Sequence, residues 1–326
     1  MKPHEAILGL SLHRPEMLPI IGEWMRQSDV VLLEEPPDAG FKKMLAGAMD
    51  VDTYVSQLDA EYPSFSCGMC HLLRELKAAG IKILQIEPYL EVLLGIHNFF
   101  AEGHRPQDLE KRSIQYPVYL AERNATGALI AYYQATAKAS FDASIEAVMR
   151  FARFDAARLR LRDSLRAQAL APFVKQHPGA YIEAGLIHYP LWQLINKQKQ
   201  NQSKVRPVFL ADDAMKAMGA KGRLFGPGDQ LTLLYMLHPG ITGTTKEKLL
   251  AAQSMIYSKI IKKNEQKNNL KDFPHIRDEL ACIHTAKRLS FQDCGRLFPL
   301  IRRARSTTAR QVVNDYLATM KSRSVV

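Results

Sequence analysis

Five short apolar runs, each separated from the next by helical sequence, constrain this chain more than any other feature. They are residues 6–12, 30–33, 81–86, 180–187 and 208–211. A strand covered by helices on both faces reads as a continuous apolar run, because neither side of it meets water. Parallel neighbours also need a long crossover, which the helical stretches at 15–27 and 70–79 supply, the second ending at Gly80. The expected fold is α/β, with a mainly parallel sheet flanked by helices.

The third and fourth runs lie far apart. Residues 118–171 hold apolar positions at helical spacing, with one glycine and no proline, and Pro172 predicts their end. Two or three long helices are expected there. After Phe225 the pattern is again helical, over 229–237, 246–263, 276–288 and 307–320, and the polar stretch 264–272 reads as a loop. The chain of 326 residues therefore divides into an α/β domain, 1–215, with an inserted helical segment, 105–171. A basic helical C-terminal region, 216–326, is expected to pack on the same domain.

Charge follows that division. The formal net charge is +11, yet residues from Lys246 onward carry 17 Lys+Arg against 7 Asp+Glu, leaving the rest near neutral. The best basic candidates for a polyanion are 259–271 and 302–310. The sequence shows no helix-turn-helix, RNA-recognition or zinc-finger spacing, so nucleic acid is not the expected partner. Four cysteines are too few for a disulfide scaffold, and no apolar run approaches the ~18 residues of a membrane span. With no leader pattern at the N-terminus, a cytoplasmic location is expected.

Each apolar run ends in ionisable residues: His13, then Glu34 and Glu35, then Glu87, then His188, then Asp212 and Asp213. Ligands of open α/β sheets bind beyond the carboxyl ends of the strands, so one edge should gather these groups. Imidazole with carboxylate suits a divalent metal such as Mn, Fe, Zn or Co, and the same set without metal suits acid–base work. Glu183 lies inside the fourth run and must be partnered, protonated or functional there. Arg162 and Arg166, four apart on a helix, share a face that can clamp an anion. A weak internal repeat, Gly9…His13 and Gly185…His188, places two histidines at equivalent strand ends. Cys67-Gly-Met-Cys70-His71 spells the c-type haem attachment pattern, but without the export context that covalent haem requires; the two thiols could instead serve a metal or redox role, or pack as small apolar groups.

Four of these pieces, in order, resemble the TraB/PrgY, Tiki, ChaN and erythromycin-esterase superfamily over about residues 5–200. Gly9-Leu-Ser-Leu-His13 and Asp29-Val-Val-Leu-Leu-Glu34 look like its opening strands. Arg162-Asp163-Ser-Leu-Arg166-Ala167 resembles its arginine helix, and Tyr181-Ile-Glu183-Ala-Gly185-Leu-Ile-His188 its second Gly-x-x-His strand. The first motif here is Gly-x-x-x-His, and Arg166 stands where the group has Met. The resemblance implies a site built on His13, Glu34, His188 and Arg162. The group's activities range over metal-dependent proteolysis, macrolide ester hydrolysis and haem binding.

The expectation is therefore a metal-dependent hydrolase of an ester or peptide bond. His13, Glu34 and His188 would hold a divalent ion, Glu183 or Glu87 would accept a proton, and Arg162 would steady an oxyanion. The alternatives are a metal-free acid–base variant using His13 or His188, a non-catalytic protein binding haem non-covalently, iron or another small ligand, and a polyanion-associated protein acting through the basic quarter.

Overall fold

The computed structural model describes residues 5–198, 204–220, 222–266 and 270–323. The five apolar runs form five strands: β1 (Ala6–Ser11), β2 (Val30–Leu33), β3 (Lys82–Gln85), β4 (Tyr181–Gly185) and β5 (Val205–Phe209). They make one sheet in the order β3-β2-β4-β1-β5, every pair parallel. The fold is thus the expected α/β class with a helical C-terminal region. β5 starts three residues earlier than its apolar run because Arg206 and Pro207 interrupt the pattern. An edge strand tolerates both, since one side of its ladder is unpaired.

The register places Gly9 of β1 opposite Glu183 of β4, and Ile7 opposite Tyr181. Gly9 has a steric reason to be glycine: a Cβ there would lie 2.2 Å from the Tyr181 hydroxyl. One face of the sheet is filled by Leu8, Leu10, Leu32 and Ile182, packed against Leu170 and Val174 of the long helix Phe141–Gln176. That packing explains why the helix passes Pro172 instead of ending there, as the proline predicted. Proline removes the bond to the carbonyl four residues back, and that residue, Gln168, is exposed, so water can satisfy its carbonyl.

The backbone falls into two compact units. The first comprises 1–120, 159–221 and 265–274 and contains the sheet; the second comprises 121–158, 222–264 and 275–326. Part of the expected insert therefore belongs with the C-terminal helices and not with the α/β domain. The helix Phe141–Gln176 spans ~54 Å at 1.5 Å per residue, and its two ends belong to different units.

The second unit is all helical. Thr245–Ile260 buries Ala251, Ala252 and Ile256, while Phe291–Ile301 buries Leu297 and Ile301. Phe291–Ile301 has no counterpart in the helices read from the sequence. Its start is set by a capping box: the Asp293 N–H donates to Ser290 Oγ, and the Ser290 N–H donates to Asp293 Oδ2 at 2.9 Å. Part of the basic segment 259–271, residues 267–269, lies outside the described residues. No helix among the described residues is long and apolar enough to cross a membrane.

Candidate active site at the carboxyl ends of the strands

β4 lies between β2 and β1, so the residues following these three strands meet. The ends of β2 and β4 are tied reciprocally. The Glu34 N–H donates to Glu183 Oε2 at 3.0 Å, and the Gly185 N–H donates to Glu34 Oε2 at 2.7 Å. A carboxylate fixed by backbone donors is oriented without any rotamer freedom left to lose.

Behind them the helix Phe141–Gln176 presents Arg162, Asp163 and Arg166. Arg162 donates to Glu34 Oε1 at 2.9 Å, and its Nε lies 3.2 Å from Glu87 Oε2. Arg166, wholly buried, donates to the carbonyls of Ile86 at 3.0 Å and Glu183 at 2.8 Å, thereby joining the ends of β3 and β4. His188, on the single turn after β4, contacts Glu34 Oε1 through Nε2 at 2.8 Å and Asp163 Oδ1 through Nδ1 at 2.5 Å. With both ring nitrogens facing carboxylates, the imidazole is held as a donor on both sides, hence protonated. Burial opposes that charge, but Glu34 and Asp163 outweigh it and raise the His188 pKa to about 9. Burial likewise opposes ionisation of Glu34, yet His188, Arg166 and Arg162 hold its carboxyl well below the usual range. Glu87 goes the other way: burial raises its pKa despite the two arginines.

In front of this network lies a cavity of about 210 Å³. Its lining includes the ionisable His13, Glu34, Glu35, Glu61 and Glu183 and the aromatic Phe41, Tyr54, Tyr62 and Phe65. His13 stacks on Phe65, ring centroids 5.1 Å apart, and its Nε2 lies 3.5 Å from Glu183 Oε1. Glu35 accepts a hydrogen bond from the Gln85 amide at 3.1 Å. Glu35 is an exposed residue, yet protein atoms crowding its carboxyl, with the nearby Glu183 charge, raise its pKa to about 7.

The structure thus gathers the expected strand-end residues but sorts them. Glu34 and His188 meet each other, while His13 meets Glu183. Among the described residues no group of three His, Cys, Asp or Glu side chains is placed to hold a metal ion. Arg162, expected to steady an oxyanion, is already engaged by Glu34 and Glu87, and Glu87 does not line the cavity. Asp212 and Asp213 also lie away from it, at the start of the helix Asp212–Ala217. The two histidines of the weak repeat each meet a carboxylate beyond the strands, His13 meeting Glu183 and His188 meeting Glu34.

The Cys67–His71 segment sits within the helix Pro63–Ala78. Its thiols are free, and burial raises Cys70 to about 12, so it is not a thiolate nucleophile. The sequence reading missed the roles of Asp163 and of the aromatic wall. Asp163 directly follows Arg162 and had a local signal; the four aromatics come from separate helices and their flanks and had none.

In sequence, the chain is 28% identical over 286 residues to an uncharacterized protein of Archaeoglobus fulgidus, covering 87% of this chain and 94% of that protein. No family model matches the chain, and no solved structure matches it.

Proposed function

We propose that this chain is a hydrolase of small ester or amide substrates, with His13 as general base. Glu183 would orient and charge-balance the imidazole, and Glu35 would donate the leaving-group proton. The observation that carries this reading is the His13–Glu183 pair in the lining of an aromatic-walled cavity. His13 Nε2 faces the Glu183 carboxylate, which leaves Nδ1 to take the proton of an attacking water. A carboxyl titrating at about 7 is suited to give a proton near neutrality. The aromatic walls would hold the apolar part of the substrate and exclude bulk water. Glu34, Arg162, Arg166, Asp163 and His188 are positioning residues in this scheme: they fix Glu183 and keep the strand ends together.

The resemblance to a superfamily that includes ester hydrolysis adds to the reading. Occupation of Glu34 and His188 by each other, and by Arg162 and Asp163, favours the metal-free form over a His13/Glu34/His188 metal centre.

The test is hydrolysis of a panel of nitrophenyl esters and anilides by the full chain, before and after EDTA. His13→Ala and Glu183→Gln should each lower kcat/KM by roughly 100-fold or more, and EDTA should change nothing. Activity abolished by chelation and restored by Mn²⁺, Zn²⁺ or Co²⁺ would overturn the metal-free mechanism and return to a metal-dependent hydrolase. Absence of turnover together with stoichiometric binding of hemin in a spectral titration would make the cavity a binding site and sink the hydrolase altogether.

A further inference from the structure

The second unit carries all of the chain's net charge: 21 Lys+Arg against 10 Asp+Glu, compared with 23 of each in the first unit. Some of these cations have carboxylate partners within their own unit: Arg153 meets Glu247 at 2.8 Å, Arg158 meets Asp155 at 2.6 Å, and Arg310 meets Asp278 at 2.7 Å. Three that lack such a partner come together at one place. Lys259, Lys263 and Arg302 line a single cavity of about 360 Å³, and among the described residues none of them has a carboxylate partner. Lys259 and Lys263 come from one of the basic segments that stand out in the sequence, and Arg302 begins the other, so the fold brings the two segments to one place.

Three of the other lining residues, Tyr132, Tyr133 and Phe298, are aromatic. Tyr132 and Tyr133 of the helix Gln115–Lys138 lie side by side, ring centroids 5.4 Å apart and planes 29° apart. Phe151 stacks on Tyr132 at 14° and holds it. Tyr133 is 61% exposed, a large ring area facing water beside three cations. Across from them the Arg302 guanidinium lies over the Phe298 ring at 5.2 Å; its Nη1 donates to the Ala139 carbonyl, while its buried Nε has no hydrogen-bond partner. Burial and the Lys263 charge both lower the Lys259 pKa, so an anion between the two lysines would relieve like-charge repulsion.

We propose that this cavity binds a nucleoside monophosphate. Lys259, Lys263 and Arg302 would take the phosphate, and the exposed Tyr133 face would stack on the base. A planar ring joined to a dianion matches an exposed aromatic face joined to three unpaired cations, and stacking on tyrosine serves any base. The volume lies within the range of small-ligand sites. The inference concerns a different unit from the proposed active site and does not depend on it.

The experiment is calorimetric titration of the full chain with AMP, GMP, CMP and UMP, and separately with adenosine and inorganic phosphate. Saturable one-to-one binding of at least one monophosphate is expected, with its nucleoside and phosphate alone each weaker by roughly tenfold or more. K259A/K263A should weaken binding by roughly tenfold or more, K259R/K263R should largely retain it, and Tyr133→Ser should weaken it about tenfold. Circular dichroism melts verify that the variants fold; Tyr133 is exposed, so Tyr133→Ser keeps the test open if the lysine pair fails to fold. Binding of inorganic phosphate as tight as the best monophosphate would overturn the assignment of the ring. So would any of three other results: no monophosphate binding at millimolar concentration, affinity unchanged in K259A/K263A and Tyr133→Ser, or binding of long single strands only.

Discussion

The two units treat positive charge in opposite ways. The first is neutral overall, yet it holds a buried arginine, Arg166, a half-buried one, Arg162, and the buried His188 among carboxylates at the ends of its strands. The second carries the whole surplus of +11 and leaves three of its cations without carboxylate partners around a cavity. Buried charge is costly unless every group is paired and hydrogen-bonded, so it tends to be kept where geometry must be fixed. Half-exposed charge in water costs little and stabilises little. Net charge is therefore a poor guide to the chemistry of this chain. The cations that shape the proposed active site cancel out of the total, and those that make up the total lie elsewhere.

The largest expected effect comes from breaking the buried set. Arg166→Met removes the donors to Ile86 and Glu183 and a countercharge from Glu34 and Glu87. Leaving a buried charge uncompensated costs about 3–5 kcal/mol. Urea denaturation should show that loss. A cost below about 1 kcal/mol would mean that the network is not the brace of this sheet edge.

Next is pH, where the sign can be worked out group by group. The folded pKa of His188 is raised from 6.5 to about 9, so its stabilisation is complete below 6.5 and is lost as pH rises towards 9. Glu34 is lowered from 4.5, so its stabilisation is complete above 4.5 and is lost as pH falls through the folded value. Together the pair stabilises most between about 4.5 and 6.5. The His188 part of the decline above 6.5 should reach up to about 3 kcal/mol. Comparison with His188→Gln isolates it: in that variant this decline should vanish, and an unchanged slope would show that His188 is not the titrating group.

The first unit also shows what could be read in advance and what could not. Strands and strand-end residues were legible because burial on both faces leaves a mark in local composition. That logic located His13, Glu34 and His188 at one edge, and Glu183 stood out separately as a carboxylate inside an apolar run. Their pairing was not legible, since Arg162 contacts Glu34 across 128 positions and no local pattern encodes that. Pro172 misled because its lost hydrogen bond falls on the exposed side of a helix whose other side is packed. Residues 291–301 were missed as a helix although Ser290 and Asp293 spell its capping box. The site's electrostatics depended on which carboxylate met which histidine, and the registers of β1 and β2 against β4 decide that.

A smaller effect tests the fit between two strands. Gly9→Ala would push a methyl group into the Tyr181 ring, which is fully buried and cannot retreat far. Overpacking of this kind costs about 1–3 kcal/mol. The paired variant Gly9→Ala/Tyr181→Phe removes the closest atom, the hydroxyl oxygen at 2.2 Å, but leaves ring carbons at 2.4 and 2.5 Å, so it should recover only part of the loss. Full recovery in thermal melts would place the strain on the hydroxyl and not on the ring.

The smallest expected change belongs to the other unit and bears most directly on the contrast. Lys263 is exposed and has no carboxylate partner among the described residues. Lys263→Ala should leave stability within about 0.5 kcal/mol of the parent in urea melts, the usual range for surface substitutions. A slight gain is expected at low salt, because Lys259 loses a like-charged neighbour, and that gain should shrink as salt is added. A loss as large as that of Arg166→Met would mean that Lys263 is a structural cation after all. The two units would then differ in net charge alone, and not in what their charges do.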